Sequence, residues 1–581
     1  MKRKYLALVL ASAMVVTALA GCGSKEEAST EAPAAEEKVE EEAPAEEPAE
    51  EEAPAEEEAP AEEAAAETQW VADEMITIQV GGAKPSGLED WTNLACIEEF
   101  KNRLGVELVA DGLVETDWAT ERTLLIAEDA LPDMLINAGF GINELTDYGN
   151  QGYFLDFSQY LDIMPNLQAT FEEYPDYKAY ITTETGAIYG FCRIRSDYTD
   201  RLMRTFIKGS WLEAAGKEVP TTLDELYDVM VAFKELDVNG NGDPDDEIPM
   251  LWAPNSYPGI DRTILDAFGI YGSGWGGNTY ILEEEDGVVS LAQTSDRYKE
   301  FLKWMKKCFD EGLIEPEAFT IESGVVESKA REDLYGMFGC GSAPFVVLNN
   351  NISEDKAWEG MGGLASEWNP DHGMSIGPAV DTSMDVVVSS TVENPEAVAK
   401  FIDYFFSPEG MLAGALGYEG QFFNWTDHEI LGRIPVWDII PEGYASAEEY
   451  RYKGSVFNGG FNLHESNLDR VALFNADPEK MYEDSIETEY GWAALVAQAY
   501  NREGVTIKDT FPNLAYTLAE ADERATLRTD VRNYISQMRA EFITGQTDID
   551  AGWDAYVETC NNMGLTRLLE IEQAAYDRAY K

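Results

Sequence analysis

The sharpest local signal is the oxygen-rich stretch between Asp237 and Pro249. Asp237, Asn239 and Asn241 stand at alternate positions, with Gly240 and Gly242 between and after them. Asp243, Asp245, Asp246 and Glu247 follow within five residues. Oxygen donors at this spacing, with glycines for a tight turn, are what a hard cation with many ligands requires, and Ca²⁺ is the natural match. The loop departs from an EF-hand, because Ile248 stands where the bidentate glutamate belongs. The plain alternative is an Asx-rich turn without metal. Protein ligands alone could saturate the ion, so a structural role is expected rather than a catalytic one.

Other reactive residue types form no catalytic pattern. His372, His428 and His464 are the three histidines, and none lies in an HExxH motif. No GxSxG elbow and no P-loop occurs. With 110 acidic residues, pairs of carboxylates arise by chance and carry no signal for glycoside hydrolysis. Gly272 to Gly277 satisfies GxGxxG, but the strand pattern Thr279–Leu282 follows where a helix should begin, so dinucleotide binding is not expected. Six cysteines occur without a CxxC pair, which excludes a zinc ribbon or a redox motif. Cys96, Cys192, Cys308, Cys340 and Cys560 read mostly as buried thiols, with room for one disulfide at most. The chain is not expected to be an enzyme.

The elements that position these residues alternate. Residues 75–80 and 106–110 have strand patterns, as does 133–137, with helical spacing over 91–104 and 116–128 between them. Strands alternating with helices argue for an α/β fold with a parallel sheet covered on its faces. Residues 222–236, 295–312 and 394–406 have the spacing of amphipathic helices, and 386–390 is strand-like. From about residue 446 helical patterns dominate.

The amino terminus has a separate job. Lys2, Arg3 and Lys4 precede an apolar run from Tyr5 to Ala20, which has the form of a secretory signal. The run ends in Leu19-Ala20-Gly21-Cys22, which resembles the bacterial lipobox. That resemblance implies cleavage after residue 21 and lipidation of Cys22. Residues 23–73 are dominated by Glu, Ala and Pro and read as an extended, solvated tether with a reach on the order of 100 Å. The formal net charge of the chain is −69. The tether holds −18 of it, the signal adds +3, and residues 74–581 carry −54. Such a balance excludes a sequence-independent nucleic-acid binder and a polybasic membrane face. Membrane attachment is therefore expected only through the lipid, on the extracellular face of the cell membrane.

The stretch from Trp211 through Gly216, Pro220 and Leu226 into Asp237-Val-Asn-Gly-Asn-Gly resembles the extracellular solute-binding protein family 1, the lipoproteins that feed ABC sugar importers. Three further segments agree. Gly186-Ala-Ile-Tyr189-Gly190 resembles the family's crossover motif. Asn394 to Tyr404, running into Ser407-Pro-Glu-Gly410, resembles its helix after the second crossover. Gly417-Tyr-Glu-Gly420-Gln-Phe-Phe423-Asn-Trp425 resembles its aromatic site loop. The likeness covers residues 74–430. It implies a two-lobed periplasmic-binding-protein-like fold of type II, hinged between lobes, with a helical C-terminal extension. The implied partition is a first lobe of 74–192 and 328–385 and a second of 193–327 and 386–581. The implied function is non-catalytic capture of a sugar or oligosaccharide by a monomer that docks on an ABC permease. The metal loop would brace one lobe; it is one residue longer than the commonest form, which leaves Asp245 and Asp246 as rival ligands. The rival functions are a lipoprotein for peptides or another non-sugar solute, a secreted glycoside-active enzyme, and a surface adhesin.

Sugar sites stack rings on aromatic side chains and bond hydroxyls with amides, carboxylates and arginine. Trp275 in its Gly-rich run is one candidate. Phe423 and Trp425 are candidates by their likeness to the aromatic loop. Tyr189 and Arg193 flank the first crossover. Phe140 lies at the carboxyl end of a strand, the usual ligand edge of an open sheet. Trp118 and Trp252 complete the set. The acidic body makes a strongly anionic ligand, such as a uronic-acid polymer, the less expected one unless local arginines override it.

Overall fold

The computed structural model describes residues 70–84, 91, 94–195, 204–255, 260–272, 279–340, 358–428, 432–436, 439–441, 443–444, 450, 460–465 and 504–581. The signal, the lipobox Cys22, the tether and Trp275 lie outside them. Among the described residues no helix is long and apolar enough to cross a membrane.

Alternation builds the first sheet. In the strand Ile76–Ala83, Ile76, Ile78 and Val80 turn inward while Thr77 and Gln79 face out. This strand pairs in parallel with Val106–Val114 on one side and Met134–Gly141 on the other. The next strand, Val380–Val388, arrives from far along the chain and runs antiparallel to Met134–Gly141 and to Gly190–Arg195. His464–Glu465 closes the far edge. The sheet is therefore mixed where a parallel one was expected. Helix Ala95–Leu104 ends at Gly105, whose φ of 67° lets the chain reverse without a Cβ clash. Its Phe100 packs edge-on against Phe401, Phe405 and Phe461.

A second core surrounds the strand Arg204–Lys208, flanked antiparallel by Met337–Cys340 and Trp358–Gly360. Helix Leu223–Glu235 starts with a full capping box between Thr222 and Glu225. Helix Asp296–Asp310 is capped by Ser295 and buries Tyr298, Phe301, Leu302 and Met305. Helices Leu518–Ile543, Ile549–Asn562 and Leu565–Tyr580 complete the same core through Val531, Ile535, Phe542, Tyr556 and Leu568. The C-terminal helices are thus structural parts of the second lobe.

The two cores divide the chain differently from the expected partition. Met337, Met361 and Leu364 belong to the second core, whereas Val386, Phe401, Phe405 and Phe422 belong to the first. Strand pairing explains this: Met337–Cys340 bonds to Arg204–Lys208, and Val380–Val388 completes the first sheet. Among the described residues, segments run between the lobes after Arg195, between Ile376 and Val380, and after Asp509. The second and third passages begin side by side, because Gly373–Ile376 pairs in parallel with Thr506–Asp509. Cys96, Cys192, Cys308 and Cys560 are buried free thiols.

Candidate functional site

A cavity of about 510 Å³ lies between the lobes. The first lobe contributes Gly141, Ile142 and Asn143 at the carboxyl end of a strand, together with Tyr180 and Thr382. The third passage contributes Phe511 to Leu514. The second lobe contributes Tyr271, Tyr280, Tyr516, Arg524 and Arg528. A larger groove of about 660 Å³ beside Trp304 and Trp368 draws on the second lobe alone, so domain closure cannot sense it.

The second-lobe wall is organised by Glu572, which is fully buried. Its Oε1 accepts from the Tyr280 hydroxyl at 3.0 Å and from Arg524 Nε at 2.8 Å, and its Oε2 accepts from the Tyr516 hydroxyl. Arg524 stacks 4.2 Å above the Tyr516 ring, and Arg528 lies 5.1 Å above the Tyr280 ring. Burial first, and the Glu572 carboxylate second, raise the Tyr280 and Tyr516 phenols, so both stay neutral at physiological pH. Tyr271 donates to Asn369 Oδ1 at 3.0 Å, and Tyr180 donates to the Thr382 carbonyl at 3.1 Å. Asn513 Nδ2 donates to the Val380 carbonyl at 2.8 Å. Asn143 Oδ1 is buried without a partner and offers an acceptor to a ligand. Ring faces, amides and guanidinium forks around one cleft can stack a pyranose and bond its hydroxyls.

None of the described sequence candidates lines this cavity. Phe140 is fully buried, with Arg122 4.0 Å above its ring, and Trp118 Nε1 and Arg122 both donate to the Ala138 carbonyl at 2.9 Å. Those two candidates therefore share one cluster, one residue from the cavity wall at Gly141. Phe423 is buried and meets Trp425 edge-on at 5.4 Å. Tyr189 packs in the first core and reaches Asn150 Oδ1 at 3.4 Å, while Arg193 lies 3.9 Å from Asp385. Trp252 stands apart in the second core, against Phe319 and bonded to Asp261. The cavity residues that sequence reasoning passed over had a readable signal. Tyr271 and Tyr280 bracket the Gly-rich run, and Arg524, Arg528 and Arg532 recur every fourth residue.

The acidic loop folds inward around its own side chains. Asn239 and Asn241 donate their amides to Asp246 at 3.1 and 2.7 Å. Asp237 accepts from the Gly242 amide at 3.0 Å. Asp237, Asn241, Asp243 and Asp245 stand exposed, whereas Asp246 is half-buried. Glu247 is buried; its Oε1 accepts from the Val238 amide, its Oε2 has no partner, and burial raises its carboxyl. Among the described residues no three His, Cys, Asp or Glu side chains gather at metal-binding distance. Two of the oxygen donors here are asparagine amides, and the orphaned Glu247 oxygen supplies the acceptor that a hard cation would engage, so the loop fits the ion.

Comparison with protein-family models returns no match. Among curated proteins, the fructooligosaccharide ABC transporter substrate-binding protein FusA of Streptococcus pneumoniae serotype 4 is 26% identical over 472 residues, 80% of this chain and 83% of the relative. The chain is a homologue of ABC-transporter substrate-binding proteins. Lipoprotein LipO of Bacillus subtilis is 27% identical over 41% of this chain and 45% of its own length. The fold agrees with solved two-lobed relatives. An HMO-binding solute-binding protein of Bifidobacterium longum infantis superposes with a TM-score of 0.66 at 22% identity, over 88% of this chain and 100% of that one. An EF-hand mutant of FusA in complex with fructo-nystose superposes with a TM-score of 0.61 at 24% identity, over 87% and 99%.

Proposed function

We propose that this chain is a lipid-anchored extracellular receptor that captures an oligosaccharide in the interlobe cavity and presents it to an ABC permease. One observation carries the reading: a single cavity takes stacking and hydrogen-bonding walls from both lobes. A ligand held by both walls favours the closed arrangement by its extra contacts there. The chain performs no chemistry, and transport energy comes from the docked transporter. FusA, named for fructooligosaccharides, and the HMO-binding protein support the glycan class. Cys22 carries the lipid and the residues after it form the leash.

The test is tryptophan fluorescence titrated with a panel of glycans and, separately, of peptides. Saturable quenching or enhancement with glycans is expected. A response to peptides with none to any glycan overturns the substrate class.

Ca²⁺ held by Asp237, Asn239, Asn241, Asp246 and Glu247 would brace the second lobe, and the FusA EF-hand mutant supports such a site in a relative. Calorimetry of chelator-stripped protein with Ca²⁺ should give heat, and the melting temperature should rise with the ion. No heat together with an unchanged melt overturns the assignment.

A further inference from the structure

The interlobe cavity has the wrong charge for its protein. Acidic residues outnumber basic ones by 110 to 41. Yet the cavity lining contains Arg524 and Arg528 and, among the described residues, no Asp or Glu. Arg524 is satisfied by Glu572 at 2.8 Å. Arg528 is not paired with any carboxylate among the described residues; its Nε is buried without a hydrogen bond, and the Tyr280 ring beneath it is apolar support. Desolvation first, and the neighbouring Arg524 second, hold the Arg528 guanidinium below its ordinary value. Arg532 continues the series one turn further along helix Leu518–Ile543. Like charges at fourth-residue spacing destabilise a helix, and Glu572 offsets that cost by direct contact at Arg524 but only through space at Arg528. The facing wall is Gly141, Ile142 and Asn143, where helix Ile142–Asn150 begins without a side-chain cap, and the first-turn Glu144 is drawn away by Arg122 at 2.8 Å. Its positive dipole end and the arginines thus meet across one space.

We infer that the captured oligosaccharide carries an oxyanion, a uronate carboxylate, and that Arg528 receives it. The inference rests on the glycan-receptor reading and adds the chemical class of the sugar. A guanidinium fork matches a carboxylate with two parallel hydrogen bonds, which a single hydroxyl cannot return. The body's charge of −54 then repels acidic glycans everywhere except at this cleft, and the local field decides.

The experiment titrates the folded chain, by calorimetry, with uronic-acid oligosaccharides, their carboxyl-reduced neutral counterparts and sulfated oligosaccharides of the same length. A uronate should bind about tenfold or more tightly than its reduced counterpart, as a charge-assisted hydrogen bond provides. Added salt should shrink that preference. Arg528→Gln should bring the two affinities to within about twofold, and Arg528→Lys, which keeps the charge and loses the fork, should restore part of the difference. Thermal melts of both variants check that they fold. A neutral counterpart that binds as well as the uronate overturns the inference, as does an acid preference that survives in Arg528→Gln. Preference for sulfate over carboxylate overturns the uronate assignment. Response to no glycan of any kind overturns the receptor reading itself, and this inference with it.

Discussion

Two cavities share Phe511 and Pro512 of the third passage as a common wall, and they carry opposite charge. The first is the interlobe site with its arginines. The second, of about 460 Å³, is lined by Glu173, Asp176, Glu284 and Asp509, with no Lys or Arg among its described lining residues. The difference extends to how their polar groups are used. In the acidic cavity the Tyr580 hydroxyl, on the last helix of the second lobe, donates across the gap to Asp176 Oδ1 of the first lobe at 2.7 Å. In the basic cavity Arg528 Nε and Asn143 Oδ1 are left without partners. One cavity fastens the lobes to each other, whereas the other holds its bonds in reserve. Net charge therefore says little about a site, because side chains a few ångströms apart set the field there.

The comparison breaks most sharply at Glu572. Removing it in Glu572→Ala leaves Arg524 and two buried phenols without their shared acceptor, which should cost about 3 kcal/mol of stability. Denaturant unfolding measures this, and a change within about 0.5 kcal/mol would mean that the basic wall is not held from behind. A smaller effect is expected at Asp266, which lies behind the same wall and helps to raise the Tyr271 phenol. Burial pushes the Asp266 carboxyl up to about 7 against the opposing charge of Arg262. The unfolded value is about 3.9, so between these limits the folded state binds the extra proton. Stability contributed by that proton is fully present at low pH and is lost as pH rises through about 7. Asp266→Asn should flatten this slope, read from unfolding midpoints at several pH values; an unaltered slope would place the titration elsewhere. The smallest effect belongs to the acidic cavity. Tyr580→Phe removes one cross-lobe hydrogen bond on a half-exposed side chain, and ligand affinity should fall by less than about fivefold. A larger loss would make that cavity a partner in closure equal to the ligand site.

Much of the fold was legible because its signals are local. Alternation in 75–80, the Thr222 cap and the Ser295 cap each act within a few residues, and the elements stand where those signals put them. The oxygen-rich loop was legible as a tight turn for the same reason, since its hydrogen-bonding partners are neighbours in sequence. The lobe boundaries were not. Whether 337–340 joins one sheet or the other depends on a partner strand more than a hundred residues away. The aromatic candidates fared differently still. Phe140, Phe423 and Trp252 are large apolar rings, and burial in a core satisfies such rings as well as a sugar would.

The sequence alone determined the helix caps, the oxygen-rich loop and the likeness to solute-binding proteins. Each rests on residue types at short spacing, where local sterics and hydrogen bonds decide. Only the tertiary structure decided which residues face the cleft. It brought Asn143, Tyr280 and Arg528 together from three distant stretches and gathered the acids of 173–176, 284 and 509 behind the same passage. Charge acts through space rather than along the chain, so the sign of the site could be read only after folding had placed its walls.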